Sequence, residues 1–372
     1  MIVTYHNCTL VTGSGIQHDP LVISTRTGRI LPPEKASRHV IDARAWYLYP
    51  GLINAHDHLE LNHYPRTRPR ERYTNAREWA ADMSALLPQE PFASLQKYPL
   101  KDRCWIGGLK NLFSGVTTVA HHNPLHRPLT DKNFPIHVMR DYGWSHSLYL
   151  TDSSEIRRSY QKTRRGVWMI HLAEGTDHAA ASEIDQLRAL GCLSDKTVLT
   201  HGVGLRDSIP DCGGLVWCPS TNFYLLGQTA QVQNWFGQLA LGSDSRLTAE
   251  GDLLDELKCA YATEQLSAEQ LFHTVTDHAA KVLKLPDRGD LQPGMQADIL
   301  SLPASIDPDP YMALIKAKRA DIAWVMRGGS LLWAQDQHTP NCQLDGVPYR
   351  LHPSVLKQVR RLALWENGLN LL

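Results

Sequence analysis

The fold is decided by the stretch Pro50-Gly51-Leu52-Ile53-Asn54-Ala55-His56-Asp57-His58. An apolar, strand-like run ends here in two histidines that are one residue apart. Side chains at positions i and i+2 of a strand point to the same face, so a strand here aims His56 and His58 at one point. Two imidazoles that converge at a strand end can hold a transition metal. A His-x-His pair alone is more often surface or core histidine, so the rest of the chain has to support the metal.

Four further apolar runs each end in polar residues able to bind a metal, a proton or a substrate. In chain order they lead to His171 with Glu174 three residues later, to His201, to Cys218-Pro219-Ser220-Thr221-Asn222, and to Gly242-Ser243-Asp244-Ser245. Any one of these is compatible with an ordinary polar residue at a strand end. Their repetition favours a (β/α)₈ barrel, because such a barrel builds its active site at the carboxyl ends of its strands.

The order His-x-His, His-x-x-Glu, His and Gly-Ser-Asp-Ser resembles the amidohydrolase superfamily. Within it, the closest resemblance is to the branch that contains chlorohydrolases and guanine, cytosine and S-adenosylhomocysteine deaminases. Near the carboxyl end, Leu291–Leu300 looks like the re-entry into that family's small β-domain, and Ala323–Gly329 looks like its closing strand and turn. The resemblance implies an α/β fold: a TIM-type (β/α)₈ barrel plus a small β-sandwich domain built from both chain ends.

Length and composition set the broad class. The 372 residues fit one barrel plus a small accessory domain. Lys+Arg and Asp+Glu both number 38, so no basic field is available to hold a nucleic-acid backbone. No secretory signal and no membrane-spanning run is evident, and the seven scattered cysteines are typical of reduced thiols, which predicts a cytoplasmic protein. We expect a small-molecule substrate and no nucleic-acid or membrane partner. The oligomeric state, a homodimer included, stays open.

Short apolar segments punctuated by glycine and proline near both ends predict β-strands with tight turns. The predicted division is therefore a small β-domain from 1–47 and 292–345, a barrel from 48–291, and a C-terminal helical tail from 346–372. Seven barrel strands are predicted, at 51–56, 116–120, 145–150, 167–171, 198–201, 215–218 and 239–243. Only Thr151 to Gly166 separate the third of these from the fourth, and 153–160 reads as a polar helix, so either the fourth strand of the family is abbreviated or the barrel is irregular there.

The segment after His58 is unusually long and has two interpretations. A basic, proline-punctuated stretch, Arg66–Tyr73, leads into a helix-like stretch with Trp79 and Met83. It is either a solvated loop followed by a surface helix, or a lid over the mouth of the barrel, because long loops at that face shape substrate choice.

The resemblance implies that one metal is held by His56, His58, His171 and Asp244. Three imidazoles and one carboxylate suit Zn²⁺, or Fe²⁺, better than Mg²⁺ or Ca²⁺, which prefer oxygen ligands. Such a metal lowers the pKa of its bound water to roughly 7, so hydroxide is available at neutral pH. Two-metal members of the superfamily use a modified lysine on the fourth strand. The only lysine between Asn133 and Gly166 is Lys162, on the polar helix, so a single metal is expected.

The resemblance also implies catalytic roles for Glu174, His201 and Asp244. Glu174 would move protons, because a leaving nitrogen must be protonated before it can depart. His201 would hydrogen-bond the water or the polarised substrate atom. Asp244 could take the proton of the water. Substrate contacts are expected from Glu60, His121 and His122, although strand alternation lets only one of the two adjacent histidines face the barrel.

These expectations lead to a metal-dependent hydrolase of C–N bonds that deaminates a small nitrogen heterocycle by metal-bound hydroxide. The alternative within the same fold is hydrolysis of a cyclic amide, of the imidazolone type, or of another amide. A third interpretation is a non-catalytic barrel used as a binding module. That idea predicts lost ligands, whereas all four metal ligands are present in the sequence.

Overall fold

The structure, a computed structural model, describes residues 1–205, 209–344 and 347–363. Its centre consists of eight parallel strand segments that are buried almost throughout. They are β8 (Leu52–Asp57), β9 (Val116–His121), β10 (His137–Val138), β11 (Tyr142–Ser145), β12 (Val167–Leu172), β13 (Thr197–His201), β14 (Gly214–Trp217) and β15 (Leu239–Leu241). Their near-continuous apolar sequences suit parallel strands, which are covered on both faces.

These segments pair in chain order into two parallel sheets, β8-β9-β10 and β11-β12-β13-β14-β15, and no closed ring of strand pairs is seen in the described part of the chain. The two ends of the series nevertheless come together. The backbone N–H of Asp244, just after β15, donates to the carbonyl oxygen of His56 in β8 at 3.0 Å. This hydrogen bond places the sequence motifs from the first and last segments side by side.

The region of the third and fourth strands differs from the prediction. The strand expected at 145–150 is β11, which ends at Ser145, and the two-residue β10 precedes it across a linker too short for a helix. Between Ser145 and Val167, all described, the chain forms helix α4 (Ser153–Lys162) and no further strand. Lys162 is exposed at the end of this helix, which is amphipathic and buries only Ile156.

The other helices surround the strands, and a large apolar cluster fills the space between the two layers. They are α1 (Ala76–Leu86), α2 (Phe92–Gln96), α3 (Leu100–Phe113), α5 (His178–Ala189), α6 (Pro219–Leu226), α7 (Leu253–Tyr261), α8 (Ala268–Thr274), α9 (Asp277–Val282), α10 (Pro310–Lys316) and α11 (Pro353–Ala363). Two of them matter for the site: α1 covers it, and α3 supports it from below.

Both ends of the chain contribute to two further sheets. The amino-terminal strands are β1 (Ile2–His6), β2 (Thr9–Thr12), β3 (Gly15–Gln17), β4 (Leu21–Ser24), β5 (Arg29–Leu31), β6 (Val40–Asp42) and β7 (Trp46–Pro50). The carboxyl-terminal strands are β16 (Ile299–Pro303), β17 (Trp324–Arg327), β18 (Ser330–Gln335), β19 (Cys342–Leu344) and β20 (Val347–Leu351).

One sheet has the order β5-β4-β1-β6, and the other has the order β19-β20-β18-β17-β16-β7-β2-β3. The antiparallel pairing of β16 with β7 joins the two chain ends in one sheet. Side chains from both sheets, among them Ile23, Leu48 and Trp324, share one apolar cluster. On this basis we propose that the two sheets form one accessory β-domain.

The segment predicted as a C-terminal helical tail, 346–372, is mixed. Strand β20 occupies Val347–Leu351, and helix α11 begins only at Pro353. The remaining positions of that segment, 346 and 364–372, lie outside the described residues. Among the residues that the structure does describe, no helix combines the length and the apolar character that a bilayer crossing requires.

Candidate metal centre and active site

Four of the predicted ligands converge at the carboxyl ends of the central strands. The Nε2 atom of His171 lies 3.2 Å from Nε2 of His58 and 3.3 Å from Nε2 of His56. The Oδ1 atom of Asp244 lies 3.8 Å from Nε2 of His56 and 3.9 Å from Nε2 of His58. His56 lies in β8 and His58 directly follows its last residue, and both rings face the same point, as their spacing predicted.

The tautomer of His56 follows from its neighbours. Nε2 of His122 lies 3.0 Å from the carbonyl oxygen of Ser145, which can only accept, so this nitrogen carries a proton. Nδ1 of the neutral His122 is therefore an acceptor, and it lies 3.2 Å from Nδ1 of His56. His56 must then donate from Nδ1, and its Nε2 lone pair points to the centre of the site.

His171 is oriented in the same sense. Its Nδ1 lies 2.8 Å from the carbonyl oxygen of His146 and donates to it, so the Nε2 lone pair again faces the centre. Burial lowers the pKa values of His56 and His171 far below the ordinary range, and neighbouring histidines add to the effect, so both rings are neutral. Two lone pairs facing each other at 3.3 Å cannot form a hydrogen bond. A cation between them resolves the conflict, so these residues fit a divalent transition metal.

Hydrogen bonds to its carboxylate and its backbone fix the position of Asp244, the fourth predicted ligand. Its Oδ2 accepts hydrogen bonds from the hydroxyls of Thr221 and Thr248 at 3.1 and 3.2 Å. The buried ammonium of Lys110 on α3 donates to its backbone carbonyl at 2.8 Å. Burial alone would raise its pKa, but His58, His201, the backbone N–H of Ser245 and the Thr221 hydroxyl hold the pKa below its ordinary value. Asp244 therefore stays ionised, which a metal ligand requires.

Backbone conformation at the site is unusual. Ala173, His201 and Asp244 have φ angles of 54°, 75° and 55°, in the left-handed region that residues other than glycine rarely adopt. Such positions cluster at functional sites because the surrounding structure holds them there. Here each of them lies where a central strand turns into the loop that carries a site residue.

Glu174 and His201 lie together beside the four converging side chains. Oε2 of Glu174 is 3.6 Å from Nε2 of His201, and both side chains are at least nine-tenths buried. Burial raises the pKa of Glu174 well above its usual range, and the carboxylates of Asp244 and Glu183 raise it further. Burial lowers the pKa of His201 to about 4, so this ring is neutral. The pair therefore consists of a carboxyl that retains its proton and an uncharged imidazole.

The site includes one small cavity of about 220 Å³. From the predicted set, its wall includes His58, His171, Glu174, His201 and Asp244. The remainder is largely apolar, with Leu61, Trp79, Leu225 and Leu247, and none of its described residues is a lysine or arginine. The size of the cavity suits a small ligand.

The three predicted substrate contacts do not lie on this wall. His122 stands behind His56, where it fixes the orientation of a ligand. Glu60 and His121 face each other in a separate buried cluster, with Oε2 and Nε2 3.6 Å apart, and His126 completes it. Glu60 approaches the cavity only through Asn123, whose Nδ2 donates to its Oε1 at 2.6 Å. The side-chain period of a strand shows which residues share a face, but not which neighbour fills the space in front of them.

The structure adds cavity residues that sequence reasoning missed, namely Asn123, His146 and Tyr149. His146 follows β11 directly and obeys the same strand-end rule as the other histidines. It was overlooked because the strand was expected to run from 145 to 150, which buried His146 inside it. The correct boundary of β11 would have revealed it. Asn123 lies two residues beyond β9, after the adjacent histidines His121 and His122.

Helix α1 resolves the two interpretations of the segment after His58. Ala76 and Trp79 lie on the cavity wall, so the segment covers the mouth rather than forming a detached surface helix. The backbone N–H of Ala76 donates to the carbonyl oxygen of Glu174 at 2.9 Å, and that of Thr176 donates to Thr74 at 2.7 Å. The cover is therefore tied to the loop that carries Glu174.

Comparison with known proteins supports the family resemblance. Residues 163–332 match the amidohydrolase family. A 190-residue stretch is 28% identical to 8-oxoguanine deaminase of Pseudomonas aeruginosa and covers 43% of this chain and 42% of that protein, so the match spans less than half of the relative's length. The resemblance inferred from the motifs is thus confirmed for this amidohydrolase segment.

Solved structures extend the likeness to nearly the whole chain. A triazine hydrolase variant has a TM-score of 0.73 at 18% identity and covers 89% of this chain and 94% of its own. An adenosine deaminase from Xanthomonas campestris with bound zinc has a TM-score of 0.74 at 15% identity and covers 100% and 98%. At such identities the likeness shows the fold alone. These amidohydrolase neighbours imply a TIM-type α/β barrel with an additional domain, as predicted; the sandwich arrangement of that domain remains a prediction.

Proposed function

We propose that this protein is a metal-dependent hydrolase of C–N bonds that deaminates a small nitrogen heterocycle. The observation that carries the proposal is the convergence of His56, His58, His171 and Asp244 with lone pairs and a carboxylate directed at one point. One divalent ion, Zn²⁺ before Fe²⁺, would be held by these four residues. The zinc that the related adenosine deaminase contains supports the same choice.

When bound, such an ion polarises the substrate and lowers the pKa of water, which makes a nucleophile available at neutral pH. Every other part of the reaction falls to the side chains of this protein. Asp244 is ionised and lies on the cavity wall, so it can accept a proton from water. Trp79 and the leucines of the wall exclude bulk solvent from the cavity.

Glu174 is suited to deliver the proton that the leaving nitrogen needs. Its raised pKa means that it remains protonated at a pH where an ordinary glutamate is ionised. It lies on the cavity wall, so its carboxyl can reach a substrate held there. Protonation of the nitrogen lets it leave as ammonia rather than as the strongly basic amide ion.

The cavity limits the substrate. A volume of about 220 Å³ is below the roughly 300–1,000 Å³ of common ligand pockets, so a single small ring fits better than a nucleoside. Among the residues that the structure describes, the wall carries no lysine or arginine, which disfavours substrates with a carboxylate or phosphate. The deaminases and hydrolases among the relatives act on nitrogen heterocycles by name, which agrees with this class.

The proposal is tested with zinc-loaded protein and a panel of uncharged purines, pyrimidines, triazines, pterins and cyclic amides. We expect ammonia to appear in step with the loss of one or more of the heterocycles. Substrate loss without ammonia, together with a new carboxylate from ring opening, would favour the cyclic-amide alternative. No turnover of any member by fully loaded protein would contradict the proposal.

A further inference from the structure

His201 has a hydrogen-bond environment unlike that of the histidines that surround it. Its Nδ1 lies 3.0 Å from Nδ2 of Asn222, which is fully buried at the start of α6. An amide nitrogen can only donate, so Nδ1 of His201 is an acceptor. The single proton of this neutral ring must then reside on Nε2, which faces the cavity.

The orientation of the Asn222 amide is itself set by two further residues. The indole Nε1 of Trp217 donates to Oγ1 of Thr229 at 2.6 Å. The Thr229 hydroxyl then donates to Oδ1 of Asn222 at 3.1 Å. Indole N–H is a donor only, so the series Trp217, Thr229, Asn222, His201 runs in one direction.

The reversed amide would satisfy fewer groups. If Asn222 were flipped, its Nδ2 would face Thr229, and the Thr229 hydroxyl proton would have to find an acceptor elsewhere. Orientation of amides and tautomers is decided by such networks, and here the donor-only indole of Trp217, acting through the Thr229 hydroxyl, fixes the arrangement.

We propose that Asn222, held by Thr229 and Trp217, is a positioning residue that keeps His201 in the Nε2–H tautomer. His201 thereby presents a hydrogen-bond donor to the cavity. Its role there rests on the proposed function, whereas the tautomer does not.

The histidines of the site are then of two kinds. His56 and His171 turn lone pairs to the centre, because a histidine and a backbone carbonyl accept their Nδ1 protons. His201 turns an N–H, because a donor occupies its Nδ1. The ring nitrogens of His56, His171 and His201 lie close enough for a second ligand triad. Because Nε2 of His201 carries a proton, it has no lone pair to offer a metal in that triad. This N–H is instead free to stabilise negative charge that develops on the substrate.

Nuclear magnetic resonance of the zinc-loaded protein with ¹⁵N-labelled histidine rings tests the tautomer without any substrate. Ring-nitrogen chemical shifts distinguish protonated from unprotonated positions, and loss of one ring's signals in His201→Gln identifies His201. We expect a protonated Nε2 and an unprotonated Nδ1. A protonated Nδ1 in the wild type would overturn the proposal.

Asn222→Asp keeps the size of the side chain but replaces the donor by an acceptor. The proton of His201 should move to Nδ1, while metal content stays unchanged and kcat falls by about 10²–10³, the usual effect of losing one such donor. Asn133→Asp, at an exposed position, is the matched control and should alter neither tautomer nor kcat. An unaltered tautomer in Asn222→Asp, or an altered tautomer with unchanged kcat, would overturn the positioning role.

Thr229 supplies a second test that changes no charge. Thr229→Ser retains the hydroxyl and should behave as the wild type, while Thr229→Val should increase the population with the proton on Nδ1. Identical ring-nitrogen spectra for the two variants would contradict the proposed series of hydrogen bonds from Trp217 to His201. If no substrate is found, the proposed function fails, but these shifts still decide the tautomer.

Discussion

The Nδ1 atoms of His56 and His122 lie 3.2 Å apart at the rear of the metal centre. Nδ1 of His122 accepts a hydrogen bond from Nδ1–H of His56, because His122 carries its own proton on Nε2, which donates to the carbonyl oxygen of Ser145. One strand end thus orients a ligand on another strand. Residues that fix the orientation and basicity of a ligating histidine therefore contribute to metal affinity, although they do not touch the metal.

Replacement of His122 by phenylalanine should therefore weaken metal binding without removing any ligand. Phenylalanine fills much of the space of the ring but cannot accept the proton of His56. We expect metal affinity to fall by roughly 10–100-fold, measured by competition with a chelator of known affinity. His18→Phe, at an exposed histidine, serves as the control. Unchanged affinity in His122→Phe would show that His56 does not depend on this contact.

Removal of a ligand should have a larger effect. His56→Ala should lose the metal and with it turnover, because the three remaining groups no longer close the site. Elemental analysis should find near one equivalent of zinc or iron in the wild type and almost none in the variant. Thermal stability should fall only modestly, because the apolar clusters of the core do not include the site. Two equivalents in the wild type would contradict a mononuclear site, and complete unfolding of His56→Ala would mark the metal as structural.

The convergence of the four proposed ligands could be predicted from the sequence because the signal of each is local. Each follows an apolar run, and the barrel brings strand ends together whatever the loops do. The partner of His201 could not be found in this way. Asn222 was visible in its Cys-Pro-Ser-Thr-Asn turn, but its contact depends on how α6 sits beside β13. The role of His122 likewise depends on the neighbouring strand, and the boundaries of β10 and β11 depend on pairing that short polar segments do not reveal.

Stability should depend on a carboxyl that lies outside the metal ligands. Burial raises the pKa of Glu256 to about 8, and its contacts with Ser220 offset only part of that shift. The folded state therefore binds a proton that the unfolded state has already lost between about pH 4.5 and pH 8. The free energy of unfolding should fall as the pH rises through this window.

Glu256→Gln should flatten this dependence, because glutamine cannot ionise. Denaturant unfolding of metal-free protein at pH 5 and pH 8 measures it, and Glu155→Gln, an exposed position on α4, is the control. A variant that loses stability between the two pH values as steeply as the wild type would assign the effect to other groups.

Glu174→Gln separates proton transfer from metal binding. Glutamine preserves the size of the side chain and much of its hydrogen bonding, including proximity to Nε2 of His201, but it cannot deliver a proton. We expect full metal content and an unchanged fold, with kcat reduced by roughly 10²–10⁴, the usual contribution of general acid–base catalysis. Because a substrate whose leaving group needs no proton does not use this step, it should be spared. Near-normal kcat with an amine-releasing substrate would remove Glu174 from the reaction and leave the proton to Asp244 or His201.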